Sequence, residues 1–266
     1  MTTPSELLLE VRKKKPLVHH ITNYVTVNDC ANICICAGGS PVMTDERKDI
    51  EEMVAMASAV VLNIGTLNER TVESMLIAGH EANKADIPVI LDPVGAGATS
   101  YRTSVVGTIL GKVDIAVIKG NAGEIGTLAG TGGKVRGVDS ASGTDNKLDS
   151  VMTLAEKEGC VVASTGKTDF VSDGRKSAIL NNGHDLLECI SGTGCMVSSV
   201  VGCYVGSCGP SVDSVMSAIS VFNISGELAA KMSDGPGTFK MSLMDAMYNL
   251  QPDVVGERLR IMEPRV

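Results

Sequence analysis

The segment Pro88–Leu110, PVILDPVGAGATSYRTSVVGTIL, contains the unit from which the rest of the chain is built. Four apolar residues, Pro88–Leu91, read as a strand too uniformly hydrophobic to have a solvent face. Asp92-Pro93-Val94-Gly95-Ala96-Gly97 then turns the chain, and an amphipathic pattern over Tyr101–Leu110 follows. A strand that is apolar throughout is buried on both faces, as in a parallel sheet covered by helices. The same rhythm recurs. Further strands are expected at Ala59–Leu62, Ile115–Ile118, Cys160–Ala163 and Phe170–Val171. Helices are expected at Arg47–Ala57, Asn68–Asn83, Ala122–Ala129 and Leu148–Glu158, and VNDCANICICAGG (residues 27–39) also has helical character. From Thr193 to Leu259 the patterns are helical with almost no strand signal. The expectation is a three-layer α/β/α fold with a mainly parallel central sheet and a helical C-terminal third, forming a single domain over residues 1–266. The polar stretch Gly132–Asn146, GGKVRGVDSASGTDN, reads as an exposed loop, because the strand–helix rhythm resumes directly after it.

Composition excludes several functions. The 266 residues carry 23 basic and 31 acidic side chains, a net charge of −8, which disfavours a nucleic-acid surface. With no Trp, three Phe and four Tyr there is little on which to stack bases. Lys13-Lys14-Lys15 reads as a solvated helix end, where cations are favoured. The N-terminus has its charges after a short apolar run, the reverse of a secretory signal. The apolar stretch Cys195–Cys208 is broken by Ser and Gly and falls short of the roughly 20 residues of a membrane span. A cytoplasmic protein without membrane contact is expected. Eight cysteines include no C-x-x-C pair. Cys30 and Cys34 share a helix face from which Cys36 is turned away, so they read as buried small hydrophobes, as do Cys160, Cys189, Cys203 and Cys208.

In open α/β sheets the chemistry lies beyond the carboxyl ends of the strands. After the successive strands stand Asn63-Ile64-Gly65-Thr66, Asp92–Gly97, Lys119-Gly120-Asn121-Ala122-Gly123-Glu124 and Ser164-Thr165-Gly166-Lys167. These should converge with a Gly-Thr-Gly turn at Gly192–Gly194, within ISGTGCMVSS (190–199). Backbone N–H groups at such a turn, opening a helix, suit an anion. Asp92 and Glu124, near that site, could hold Mg²⁺ directly or through water, since the ion prefers oxygen ligands and keeps several waters. Lys119 and Asn121 supply a cation and an amide for phosphate oxygens. Two motifs are decoys. Thr165-Gly166-Lys167-Thr168 lacks the earlier Gly of a P-loop and leads into a Gly-tipped hairpin, although Thr165 suits a nucleotide contact. GAGATS (95–100) lacks the third Gly of a dinucleotide fingerprint. His19 and His20, being adjacent, cannot point the same way, so neither is assigned catalysis; His80 and His184 are expected at the surface. Cys195, after the Gly-rich turn, is placed to approach a substrate hydroxyl, and the following helix would favour its thiolate. Positioning and charge neutralisation supply most of the catalysis in phosphoryl transfer, so a modest base there suffices.

The stretches VHHITNYVTVNDCAN, SPVMTDE, LNIGTL, ILDPVGAGATSYR, IKGNAGEI, ISGTGCM and DGPGTFKMSLMDAMYNL occur in this order along essentially the whole chain. Together they resemble the hydroxyethylthiazole kinases of the ribokinase-like superfamily. That resemblance implies ATP- and Mg²⁺-dependent phosphorylation of 4-methyl-5-(2-hydroxyethyl)thiazole in thiamine salvage, by a homotrimer with active sites between subunits. It implies substrate contacts at Met43 and Gly192, with Asn23 and Gly65 beside them, and ATP contacts at Lys119 and Thr165. It further implies that Asn121 and Glu124 organise Mg²⁺ and phosphate with help from Asp92. Gly192, Thr193 and Gly194 become the anion hole, and Cys195 stands where superfamily relatives carry an Asp base. Lys119 departs from the Arg common in the family and loses its planar bidentate fork. Ser100 stands where many relatives have Pro. Two other functions compete: a kinase for hydroxymethylpyrimidine or a sugar, against which Cys195 and Met43 speak, and a catalytically silent nucleotide-binding subunit.

Overall fold

The structure is a computed structural model that describes residues 3–131, 144–262 and 264. In chain order the elements are α1 (Pro4–Lys14), β1 (Leu17–Ile21), α2 (Val27–Ala37), β2 (Ser40–Met43), α3 (Arg47–Met56), β3 (Ala59–Asn63) and α4 (Glu69–Lys84). There follow β4 (Val89–Asp92), α5 (Ser100–Leu110), β5 (Val117–Asn121), α6 (Ala122–Ala129), α7 (Thr144–Glu158), β6 (Val161–Thr165), β7 (Asp169–Ser172) and β8 (Ser177–Leu180). After a 3₁₀ turn at Asp185–Cys189 come α8 (Thr193–Cys208), α9 (Val212–Ala230), α10 (Pro236–Asn249), α11 (Pro252–Arg258) and β9 (Ile261–Met262).

Among the described residues the nine strands form one sheet in the order β2-β1-β3-β4-β5-β6-β7-β8-β9. The pairings from β2 through β6 are parallel and those from β6 through β9 antiparallel. The uniform apolarity of the central strands is accounted for by a core on each face. Alternate residues Val18, Val61, Ile90, Val117 and Val161 join a core with α1, α2, α8, α9 and α10. Their neighbours Val60, Leu62, Val89 and Leu91 join a second core with α3, α4 and α5. Ile118 and Val162 face a third, under α6 and α7. With side chains alternating across a strand, both sets must be hydrophobic.

The helix α8 is placed by close contact. A Cβ on Gly202 would lie 2.8 Å from Val18 Cγ1 and 2.9 Å from Val61 Cγ2, so only glycine lets the helix lie this near β1 and β3. Its N-terminus thereby comes over the carboxyl ends of the central strands.

The helix expectations hold to within one residue for α3, α4, α5 and α6, where Glu46, Asn68, Thr99 and Asn121 cap the first turns. Four differences stand out. Strands β1, β2, β8 and β9 carry no strong apolar run: β1 contains His19 and His20, and β2 contains Pro41, tolerated because β2 is an edge. The strand expected at Ile115–Ile118 begins at Val117 and runs on through Lys119 to Asn121, because parallel pairing to β6 continues past the apolar residues. Helix α7 begins at Thr144, inside the stretch read as a loop; residues 132–143 of that loop lie outside the described residues. Finally, Cys189 is exposed and Cys36 and Cys208 are partly so, whereas Cys30, Cys34, Cys160 and Cys203 are buried as expected. Cys189 sits on the short 3₁₀ turn, which buries none of its residues.

His80 and His184 are exposed, and His184 accepts from the Leu186 N–H at 3.2 Å to cap the 3₁₀ turn. His19 and His20 are buried and diverge: His19 Nε2 meets the Thr44 carbonyl at 2.9 Å, and His20 Nε2 meets Ser199 Oγ at 3.1 Å. Among the described residues no helix is long and apolar enough to cross a membrane.

Candidate active site

The strand registers assemble the site. Asn63 ends β3 opposite Asp92, the last residue of β4, and Asn121 ends β5 opposite Thr165, the last of β6. Met43 ends β2 opposite His20 of β1. Parallel strands with matched ends deliver their terminal residues to one edge, and α8 opens above it.

Gly192 caps α8 in the left-handed region, φ 92°, with no side-chain hydrogen bond to the first turn. The free N–H groups of that turn carry the positive end of a 16-residue helix, the arrangement that binds anions. Thr193 Oγ1 donates to the Leu187 carbonyl at 2.9 Å and fastens the turn to the 3₁₀ segment. Lys119, only 3% exposed, passes beneath: its Nζ donates to the Gly194 carbonyl at 2.9 Å and lies 3.8 Å from Asp92 Oδ2. A buried ammonium persists where it has such partners.

The thiol of Cys195 is partly exposed and receives two amide donors, Asn23 Nδ2 at 3.2 Å and Asn63 Nδ2 at 3.3 Å. Asn63 lies within the stretch LNIGTL, where the sequence assigns it no role of its own. Its signal was its place directly after an apolar strand. It also donates to Asp92 Oδ2 at 2.8 Å, which accepts from Ser198 Oγ at 2.7 Å as well. Burial pushes the Asp92 carboxyl up from its ordinary pKa; Glu124 adds to this, and Lys119, Ser198 and Asn63 oppose it. Burial and then the Asp92 charge push the Cys195 thiol up, against Lys119, Asn63 and Thr26. The expected thiolate-favouring effect of the helix is therefore outweighed, because the sulfur is desolvated beside an anion.

Asn121 and Glu124 form a reciprocal cap on α6. The Glu124 N–H donates to Asn121 Oδ1 at 2.9 Å, and Glu124 Oε2 accepts from the Asn121 N–H at 2.7 Å. Glu124 Oε1 accepts from the Gly95 N–H at 2.8 Å, so GAGATS is the turn that seats this carboxylate. Thr165 Oγ1 donates to the Gly120 carbonyl at 3.3 Å beside them, and the chain then returns as antiparallel β7, which removes the P-loop reading. Gly65 donates its N–H to Asn63 Oδ1 at 2.9 Å; a Cβ there would stand 3.0 Å from Asn23 Cβ. Arg102, likewise unforeseen, ties the loops after β3 and β4 together by donating to the carbonyls of Ile64, Gly65 and Val94. Asn23, Gly65, Asp92, Lys119 and Cys195 thus share one network, with Asn121, Glu124 and Thr165 as its neighbours. Met43 stands apart at the far side of the same edge.

No group of three or more His, Cys, Asp or Glu side chains gathers as an all-protein metal cage among the described residues. The donor set nonetheless suits Mg²⁺ held through water. Asp92 lies 3.8 Å from the Lys119 ammonium and Glu124 is close enough to act on the Asp92 charge, so these two carboxylates would hold an ion that keeps most of its own waters.

Residues 8–253 match the Hydroxyethylthiazole kinase family. The chain is 53% identical to hydroxyethylthiazole kinase of Methanocella arvoryzae, with 97% of each chain covered. It is 50% identical to that of Thermoanaerobacter sp. (strain X514) over 94% of this chain and 96% of the relative. The structure of hydroxyethylthiazole kinase protein from Pyrococcus horikoshii OT3 superimposes with a TM-score of 0.92 at 39% identity, covering 98% of this chain and 99% of that one. Pyridoxal kinase from Staphylococcus aureus, at 15% identity and a TM-score of 0.60, shares the fold. With the family matched along nearly its whole length and the Gly-Thr-Gly-Cys turn set over the strand ends, this chain belongs to the hydroxyethylthiazole kinase family.

Proposed function

We propose that the chain, as one kinase domain over residues 1–266, transfers the γ-phosphoryl group of ATP to the hydroxyl of 4-methyl-5-(2-hydroxyethyl)thiazole, as a cytoplasmic enzyme of thiamine salvage. The observation that carries this reading is the N-terminus of α8, which has no side-chain cap, with Cys195 at its lip and Lys119 beneath. The hydroxyl oxygen forms a bond to the γ-phosphorus as the bond to the bridging oxygen of ADP breaks. The hydroxyl proton passes to Cys195 Sγ and from there to solvent. The N–H groups of Thr193, Gly194 and Cys195 take up the charge on the transferring group. A raised thiol pKa leaves little Cys195 thiolate in the free protein at neutral pH, but makes the thiolate that forms the stronger proton acceptor.

Lys119 and Thr165 contact the triphosphate, with Asn121 beside them. Glu124 would hold Mg²⁺ through its waters, and Asp92 contributes charge from behind. The ion would supply neutralisation of phosphate charge beside these residues. Met43, Gly192, Asn23 and Gly65 line the substrate side. Tyr24 is 77% exposed and Val25 61%, directly after Asn23; in the homotrimer the neighbouring subunit would cover them beside the site.

The test is phosphorylation followed by mass spectrometry with MgATP, comparing hydroxyethylthiazole, hydroxymethylpyrimidine and several sugars at equal concentration. A selective gain of one phosphate on the thiazole is expected. Transfer to another alcohol would keep the reaction and overturn the substrate. Bound ATP without transfer to any alcohol would overturn the reaction, and sedimentation of a monomer would remove the trimer.

A further inference from the structure

We propose that Asn63 is a positioning residue which, together with Asn23, forms a two-donor clamp holding Cys195 Sγ as a hydrogen-bond acceptor toward the substrate hydroxyl. The inference rests on Cys195 being the proton acceptor and adds the device that prepares it.

The two amides cannot be turned around. Asn63 Oδ1 accepts from the backbone N–H of Gly65 at 2.9 Å, and a backbone N–H can only donate. Its NH₂ group must therefore face Asp92 Oδ2 at 2.8 Å and Cys195 Sγ at 3.3 Å. Asn23 is fixed in the same way. Its Oδ1 accepts from the Thr26 N–H at 3.1 Å and Thr26 Oγ1 at 3.0 Å, which sends its NH₂ group to Asn63 Oδ1 at 3.0 Å and Cys195 Sγ at 3.2 Å. All four amide hydrogens have partners, and two of them converge on one sulfur.

Both residues are almost fully buried, Asn23 4% and Asn63 2% exposed, so water does not supply these bonds instead. A sulfur that receives two donors is favoured in its anionic form, and donors to a charged acceptor are the strong ones. The clamp thus works against the burial and the Asp92 charge that disfavour the thiolate. Lys119 acts in the same direction from the other side. Asn63 serves Asp92 and Cys195 at once, so the proton acceptor and the buried carboxylate keep a fixed spacing.

The experiment compares wild type with Asn63→Ala and Asn63→Asp. The latter keeps an acceptor for Gly65 but loses both donors. Iodoacetamide labelling of Cys195 is followed by peptide mass spectrometry at pH 8, with exposed Cys189 in the same chain as internal reference. Loss of one charge-assisted donor should slow labelling of Cys195 by about tenfold and leave Cys189 unchanged. Turnover should fall by a similar factor through kcat, with KM for ATP unmoved and the pH profile displaced to higher pH. In a Cys195→Ala background the Asn63 change should cost less than in wild type, leaving only the loss of its bond to Asp92, and should no longer displace the pH profile. If either variant fails to fold, Asn23→Ala removes the second donor and must move the same readouts. Unchanged Cys195 labelling in folded variants overturns the clamp and leaves the role of Cys195 standing. Full turnover in Cys195→Ala overturns the role of Cys195, and the catalytic use of the clamp with it.

Discussion

Replacing Gly192 by Ala tests how the anion hole and the thiol are held together. At φ 92° Gly192 lies in a region that costs an L-residue about 1–2 kcal/mol. An added Cβ would stand 2.2 Å from Thr26 Cγ2 and 3.0 Å from Thr26 Cβ. Carbon atoms rest at about 3.5–4.0 Å, so Thr26 would have to retreat by roughly 1.3 Å. Thr26 is 3% exposed and holds Asn23 through both its N–H and its hydroxyl. The displacement therefore reaches the amide that donates to Cys195. Strain and overpacking together should lower stability by about 2–5 kcal/mol. A misplacement of about 1 Å at the reacting groups should cost on the order of 100-fold in kcat. The assay is steady-state phosphorylation of hydroxyethylthiazole beside urea unfolding, on Gly192→Ala with and without Thr26→Ser. Serine lacks the methyl group in the 2.2 Å contact, so the double variant should regain about tenfold in kcat while the backbone strain remains. A Gly192→Ala protein with wild-type kcat and stability, or a loss that Thr26→Ser leaves untouched, would refute the reasoning.

Three further outcomes are expected. Cys195→Asp should match or exceed wild-type turnover, because a carboxylate accepting from Asn23 and Asn63 is the better base at neutral pH; a folded variant with no activity would remove the residue from the acceptor position. Glu124→Gln should raise the Mg²⁺ concentration needed for half-maximal rate and cost about 1 kcal/mol of stability, since an amide can accept only one of the bonds from Gly95 and Asn121. An unchanged Mg²⁺ titration would take Glu124 out of the metal site. Burial lowers the pKa of His20 to about 4, below its unfolded value, so the unfolded chain binds the proton first. Its contribution to stability is complete above about pH 6.5 and is lost as pH falls towards 4, by up to about 3 kcal/mol. Urea unfolding of wild type and His20→Gln between pH 7 and pH 4 should show the wild type losing more; parallel losses would contradict it.

The sequence by itself determined the layers and which residues gather at the strand ends as the candidate site. Strands such as AVVL and PVIL are apolar at every position because both faces of the sheet are covered, and that pattern survives in a single chain. Residues that follow such strands are committed to one edge, which is why Asp92, Lys119, Glu124 and Thr165 could be named before any geometry was known. The Asn121–Glu124 cap is likewise local, being closed within one turn of α6.

Only the tertiary structure decided what crosses between elements. Strands β1 and β2 exist because neighbours offer pairing, not because LVHHI or SPVM advertise it. The part played by Asn63 depends on α8 bringing Cys195 over β3 from 132 positions away. Even the direction of the thiol pKa reverses, since a helix N-terminus is visible in sequence while desolvation and a buried carboxylate are not. Such effects belong to distances between segments, and a residue's local pattern carries no record of what folding will set against it.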